Sequence, residues 1–156
     1  MFAVDSVSLP LVQKLVAILI FSGMLLCFAC RKKDTGNVNN NPVPSVPVQI
    51  TLYPNDPLMF KLQAIGGWMY VNGGVNGLVV YRKSNEEFVA VERTSSQLPD
   101  NAKARVIVLS DNFTLEDTIS KSNWRIFDGT VTKGPATWPL RLYATNFDGN
   151  ALRINN

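Results

Sequence analysis

Residues 66–92 read GGWMYVNGGVNGLVVYRKSNEEFVAVE, and this stretch decides the fold class. Gly66 and Gly67 lead into the aromatic run Trp68-Met-Tyr70-Val, and Asn72-Gly73-Gly74 supplies the glycines of a tight turn. Leu78-Val-Val-Tyr81 returns, Ser84-Asn-Glu-Glu87 turns again, and Phe88-Val-Ala-Val-Glu92 is a third strand. Working outward, Val48-Gln-Ile50-Thr-Leu52 alternates apolar and polar residues until Tyr53-Pro-Asn-Asp-Pro57 ends it. Residues 60–65 leave room for one helical turn. Further strands are expected over 104–109, at Thr118-Ile119, over 124–127 and 140–145, and over 151–154. Asp128-Gly129, with Val131 beyond it, and Asp148-Gly149 are hairpin signals. Eight or nine short strands with a turn roughly every ten residues, and no amphipathic helix of twelve, predict an all-β domain: a small antiparallel sandwich or barrel.

The residue types that are missing narrow the chemistry. The 156 residues contain no histidine, and both cysteines, Cys27 and Cys30, precede the domain. Histidine general acid–base catalysis, Ser–His–Asp triads, thiol nucleophiles and Cys/His metal sites are therefore excluded from residues 48–156. The net charge of +3 is concentrated outside the domain. From Val48 onward eleven Lys and Arg face ten Asp and Glu, so the excess comes largely from Arg31, Lys32 and Lys33. Such a charge suits a lipid surface better than nucleic acid, and no nucleic-acid partner is expected.

Residues 15–29, LVAILIFSGMLLCFA, follow Lys14 and carry no charge. A bilayer span needs about 20 apolar residues and a signal-peptide core about 7–15, so the length favours a removable signal over a permanent helix. Cys30 directly follows the small Ala29. The arrangement resembles a bacterial lipobox, with Cys27 where Leu is usual and Phe28 a bulky departure. The resemblance implies residues 1–29 as a lipoprotein signal peptide and Cys30 as the lipidated first mature residue. It also implies a periplasmic or outer-membrane lipoprotein of the cell envelope. Residues 30–47 then form the lipidated cysteine and an Asn/Pro-rich tether, whose Pro42, Pro44 and Pro47 favour extended backbone. The domain is expected over 48–156.

One segment is more specific than the general β pattern. It is Asp128-Gly-Thr-Val-Thr-Lys-Gly134-Pro135-Ala136-Thr-Trp-Pro139-Leu140, followed by Tyr143 and the Asp148-Gly149 hairpin. With Gly66-Gly67 before an aromatic strand, and Phe88-Val-Ala-Val-Glu-Arg93-Thr94, it resembles the Rieske [2Fe–2S] domain over most of residues 48–156. In that family one loop supplies Cys-x-His and a second Cys-x-x-His. Laid on this chain, these positions fall at Ser95 and Gln97 and at Asp117 and Ser120. Hydroxyl and amide oxygens are poor ligands for iron bridged by sulfide. The resemblance therefore implies the fold without its cluster: no cofactor, no metal and no catalytic residue.

Other groupings have plainer explanations. Asp111, Glu116 and Asp117 lack the glycine and spacing of a calcium loop. Glu86 and Glu87, being adjacent, read as a turn. Neither glycine pair precedes a helix, as a phosphate loop requires. Trp68, Trp124 and Trp138 suit a small β core as well as a sugar- or peptide-binding surface. Asn112-Phe-Thr114 matches the glycosylation sequon, a pattern common by chance. The expected function is a membrane-anchored, non-catalytic binding or scaffolding module with an envelope protein partner. Any retained binding is expected at Ser95, Ser96, Gln97 and residues 117–122. The alternatives are an electron-transfer subunit of an oxygenase or reductase system and, last, a hydrolase built on Asp, Ser and Lys.

Overall fold

The computed structural model describes residues 41–156; the expected signal peptide, Cys30 and residues 31–40 lie outside the described residues. Ten strands form two antiparallel sheets. The larger contains β1 (Gln49–Leu52), β2 (Trp68–Val71), β3 (Leu78–Arg82), β4 (Phe88–Glu92), β9 (Leu142–Phe147) and β10 (Leu152–Asn155), in the order β1-β10-β9-β4-β3-β2. The smaller runs β5 (Val106–Val108), β6 (Thr114–Asp117), β7 (Asn123–Arg125) and β8 (Val131–Lys133) in simple succession. Among the described residues the helical element is a 3-10 segment, Pro57–Leu62, started by the Asp56 carboxylate accepting from Leu58 N–H. The domain is all-β and antiparallel, as the turn spacing predicts.

The strand β3 explains the architecture. All five of its residues are buried, because a strand's alternate side chains point to opposite faces and both faces are covered. Leu78 and Val80 join Phe88, Ala90, Tyr143, Leu152 and Ile154 in one core. Val79 and Tyr81 join Val91, Val106, Leu115, Trp124 and Ile126 in another, against the smaller sheet. A near-continuous apolar run is what a strand between two cores requires. Each large side chain so buried stabilises the fold by about 1.5–3 kcal/mol. The larger sheet curls toward a half-barrel: a Cβ added at Gly73 would stand 2.6 Å from Ile50 Cδ1, so the β2–β3 turn comes back over β1.

Several boundaries differ from expectation. Thr118 and Ile119 lie in a turn, and the strand precedes them at Thr114–Asp117. The reason is local: the Asp117 carboxylate accepts from Ile119 N–H and bends the backbone there. The expected run over 124–127 shortens to a strand ending at Arg125, since Ile126 begins the turn to Gly129. The last part of the expected tether belongs to the folded body. Val43 is fully buried, its carbonyl accepts from the Arg141 guanidinium, and Asn41 Nδ2 donates to the Pro139 carbonyl at 2.9 Å. Asn156 Nδ2 donates to Ser45 Oγ and the Val46 carbonyl, and its Oδ1 accepts from Val48 N–H. The expected boundary at 47/48 therefore moves back, with residues 41–47 packed on the domain. Composition alone hides this because the partners are backbone carbonyls and one buried Val.

Candidate functional site

Three connections meet at one end of the molecule. The first leaves β4 at Glu92 and is pinned by a bridge between Thr94 and Arg105. The second is the turn between β6 and β7. The third runs from Gly134 to Arg141 between β8 and β9, and its Gly134–Pro135 peptide is cis. Antiparallel pairing of Ala90 with Tyr143 and Val91 with Leu142 sets the end of β4 beside the start of β9, which brings the first and third together.

Side-chain hydroxyls stitch these loops to one another. Ser96 Oγ donates to the Trp138 carbonyl at 2.6 Å, and Trp124 Nε1 donates to the same oxygen at 3.0 Å. Ser122 Oγ accepts from Ala136 N–H at 2.9 Å. Asp117 organises the second loop: Oδ1 accepts from Ile119 N–H at 3.0 Å and Oδ2 from Ser120 Oγ at 2.6 Å. Ser120 Oγ also lies 3.1 Å from Ser122 Oγ. Burial alone would raise the Asp117 pKa. Hydrogen bonds from the Ser120 hydroxyl, the Ile119 N–H and the Ser95 hydroxyl outweigh it and hold the carboxyl below its ordinary range.

The structure thus brings Ser95, Asp117 and Ser120 together, three of the four positions expected to match the lost cluster ligands. The fourth, Gln97, joins through its backbone N–H, which donates to Ser95 Oγ at 3.3 Å. Ser95, Ser96, Asp117 and Ser122 are all buried. The donor set does not fit a [2Fe–2S] cluster: it offers hydroxyl and carboxylate oxygens already engaged with neighbouring N–H and O–H groups, and no thiolate or imidazole. Among the described residues every buried side-chain nitrogen and oxygen has a hydrogen-bond partner. No group of three His, Cys, Asp or Glu is placed to hold a metal ion there.

A second buried carboxylate stands at the root of the first loop. Glu92 is fully buried and accepts five hydrogen bonds: from the N–H groups of Val75, Asn76 and Thr94, and from the hydroxyls of Thr94 and Tyr143, at 2.8–3.0 Å. Burial, with the Glu92 hydrogen bond second, pushes the Tyr143 hydroxyl well above its ordinary pKa of 10. Gly74 makes room for this arrangement: a Cβ there would lie 2.1 Å from Glu92 Oε2, and its φ is +62°. Sequence reasoning missed Glu92, because a charge at a strand end reads as solvated. Ser122 fell within the expected 117–122 segment, but its bond to the Ala136 N–H has no signal in the sequence. The one available signal was Gly73-Gly74 facing a strand that ends in Glu.

The remaining groupings take structural roles. Asp111 Oδ1 accepts from Phe113 and Thr114 N–H. Glu116 pairs with Lys121, and Glu87 pairs with Lys83 across the turn. Trp124 is fully buried, Trp68 is half-buried with its Nε1 donating to Asn112 Oδ1, and Trp138 is exposed.

No family model matches the chain, and no characterised protein matches it. Among solved structures it is similar to the ferredoxin of carbazole 1,9a-dioxygenase from Nocardioides aromaticivorans, with a TM-score of 0.45 and 16% identity, over 70% of this chain and 97% of that one.

Proposed function

We propose that this chain is a lipid-anchored lipoprotein of the bacterial cell envelope. Its domain is a Rieske-like shell without a cluster, serving as a non-catalytic binding or scaffolding module with an envelope protein as partner. One observation carries the reading. At the positions matching the family's cluster ligands, the Asp117 carboxylate is bound by the Ser120 hydroxyl and the Ile119 N–H, and Ser95 Oγ accepts from the Gln97 N–H, so the loops close on themselves. A catalytic dyad is also poorly served by this geometry. The Ser120 hydroxyl donates to a carboxylate held in its ionised form by several other donors, which makes Asp117 a weak proton acceptor.

The first test is an ultraviolet–visible spectrum with an iron assay on the full chain produced anaerobically. The expected protein is colourless, iron-free and folded. Stoichiometric iron with charge-transfer bands would overturn the reading in favour of electron transfer. The anchor is tested separately by radiolabelled palmitate. Incorporation is expected in the wild type and absent in Cys30→Ser, whereas an unlabelled wild type refutes the lipoprotein assignment.

A further inference from the structure

The path of the chain decides which end of the domain approaches the membrane. The segment 41–47 enters at the loop end: Asn41 is bound to Pro139, one residue from Trp138, and Val43 to Arg141. From there β1 runs away from this end, since Gln49 pairs with Asn155 and Leu52 with Leu152. The Asp148-Gly149 turn, at the far end of β9, marks the opposite pole. The 3-10 segment lies beside that pole, where Asn55 Nδ2 donates to the Gly149 carbonyl.

Both poles expose apolar side chains. The far pole carries Leu58 at 87% exposure and Phe60 at 65%, against Ile119 at 47% and Trp138 at 43% on the loop end. Hydrophobicity alone would select the far pole. Chain length selects the other. Residues 31–40 separate Cys30 from Asn41, and fully extended they reach at most about 40 Å. A globule of this size measures about 35 Å across, so setting the far pole on the bilayer would require the tether to be stretched almost to its limit. The loop end needs no such stretching.

We propose that the loop end lies against the phospholipid surface that carries the Cys30 anchor, with Trp138 and Ile119 at the headgroup level. This rests on the lipoprotein reading above. An exposed indole suits that depth, being apolar in body with a polar N–H. Arg31, Lys32 and Lys33, next to Cys30 in the sequence, supply attraction to anionic lipid, whereas Lys121, in the same turn as Ile119, is already paired with Glu116. This orientation leaves the far pole, with Leu58 and Phe60, turned outward.

The test uses the lipidated full-length protein in vesicles of phosphatidylcholine and phosphatidylglycerol, 3:1. Lipidation blocks Cys30, so a spin label can be placed at Thr137→Cys on the loop end or at Asn150→Cys on the far pole. Both positions are exposed. Collision rates with oxygen, which partitions into lipid, and with a water-soluble nickel complex are then compared with and without vesicles. The oxygen-to-nickel ratio is expected to rise several-fold at residue 137 and to stay unchanged at residue 150. Unchanged ratios at both, or a rise at residue 150 alone, overturn the orientation. Flotation with vesicles that is lost in Cys30→Ser shows the anchor reading intact in that case. Failure of the wild type to float overturns the anchor and the orientation with it.

Discussion

Glu92 in the larger sheet and Asp117 in the smaller one are both buried carboxylates, yet they are held in different ways. Glu92 collects donors from three separate parts of the chain: the β2–β3 turn, the loop after β4 and Tyr143 of β9. Asp117 takes most of its donors from its own turn, Ile119 and Ser120, with Ser95 the long-range contribution. A carboxylate fed from distant segments locks tertiary structure. One fed from its own turn fixes a loop. Glu92 therefore ties distant parts of the larger sheet together, while Asp117 shapes one turn of the loop end.

The sharpest way to break this comparison is to remove the Glu92 charge. In Glu92→Gln the new NH2 group faces N–H and O–H donors, leaving buried groups unpaired, and a loss of about 2–4 kcal/mol is expected in urea unfolding. Gly74→Ala should approach that loss without touching the carboxylate's charge, because its Cβ meets Glu92 Oε2 and its backbone is left-handed. If either variant unfolds at the wild-type midpoint, the lock does not exist. The same clamp has a pH signature. Burial and the Glu92 bond raise the Tyr143 pKa, so its contribution is complete below the unfolded-state value of about 10 and declines as pH rises above it. Tyr143→Phe should remove that alkaline decline.

Next in size comes the segment 41–47, which packs on the domain ahead of β1. Val43→Ala empties a fully buried site, and a loss of about 1–2 kcal/mol is expected. A negligible change would mean that residues 41–47 do not hold to the domain, and would remove the support for the proposed orientation. Asp117→Asn should cost about 1–2 kcal/mol at neutral pH. It should also flatten the acid limb of the stability curve. The Asp117 pKa is depressed in the folded state, so its stabilisation is present above the ordinary value of 3.8 and is lost as pH falls through the folded value. A full-sized acid decline in Asp117→Asn would assign that limb to Asp111, Asp128 and Asp148, whose pKa values are also lowered.

The apolar strands were legible in the sequence because their pattern is set by burial. Leu78-Val-Val-Tyr81 and Phe88-Val-Ala-Val announce strands whichever core they face, and Gly73-Gly74 and Asp148-Gly149 announce their turns. What stayed hidden depends on polar side chains whose partners are far away in sequence. Glu92 looks like a surface residue until the fold places Tyr143 beside it, and Ser96 and Ser122, though inside the loops named for retained binding, give no sign in the sequence of the Trp138 carbonyl and the Ala136 N–H that they bind. The site positions Ser95, Asp117 and Ser120 could be nominated only through the family resemblance, since alternation says nothing about loops. Their mutual hydrogen bonding is a property of the folded chain alone.

The smallest expected effect is the most discriminating for the loop end. Trp138 contributes its carbonyl to Ser96 and Trp124, while its indole is exposed. Trp138→Ala keeps the carbonyl, so unfolding should change by no more than about 0.5 kcal/mol. A loss above 1 kcal/mol would mean that the indole packs as part of the domain and is not held out at its surface. With stability unchanged, the same variant isolates the surface role: an indole that meets lipid should be missed in vesicle orientation and nowhere else. The contrast with Glu92 would then be complete, one side chain holding the fold from a fully buried position and the other exposed at its surface without holding it.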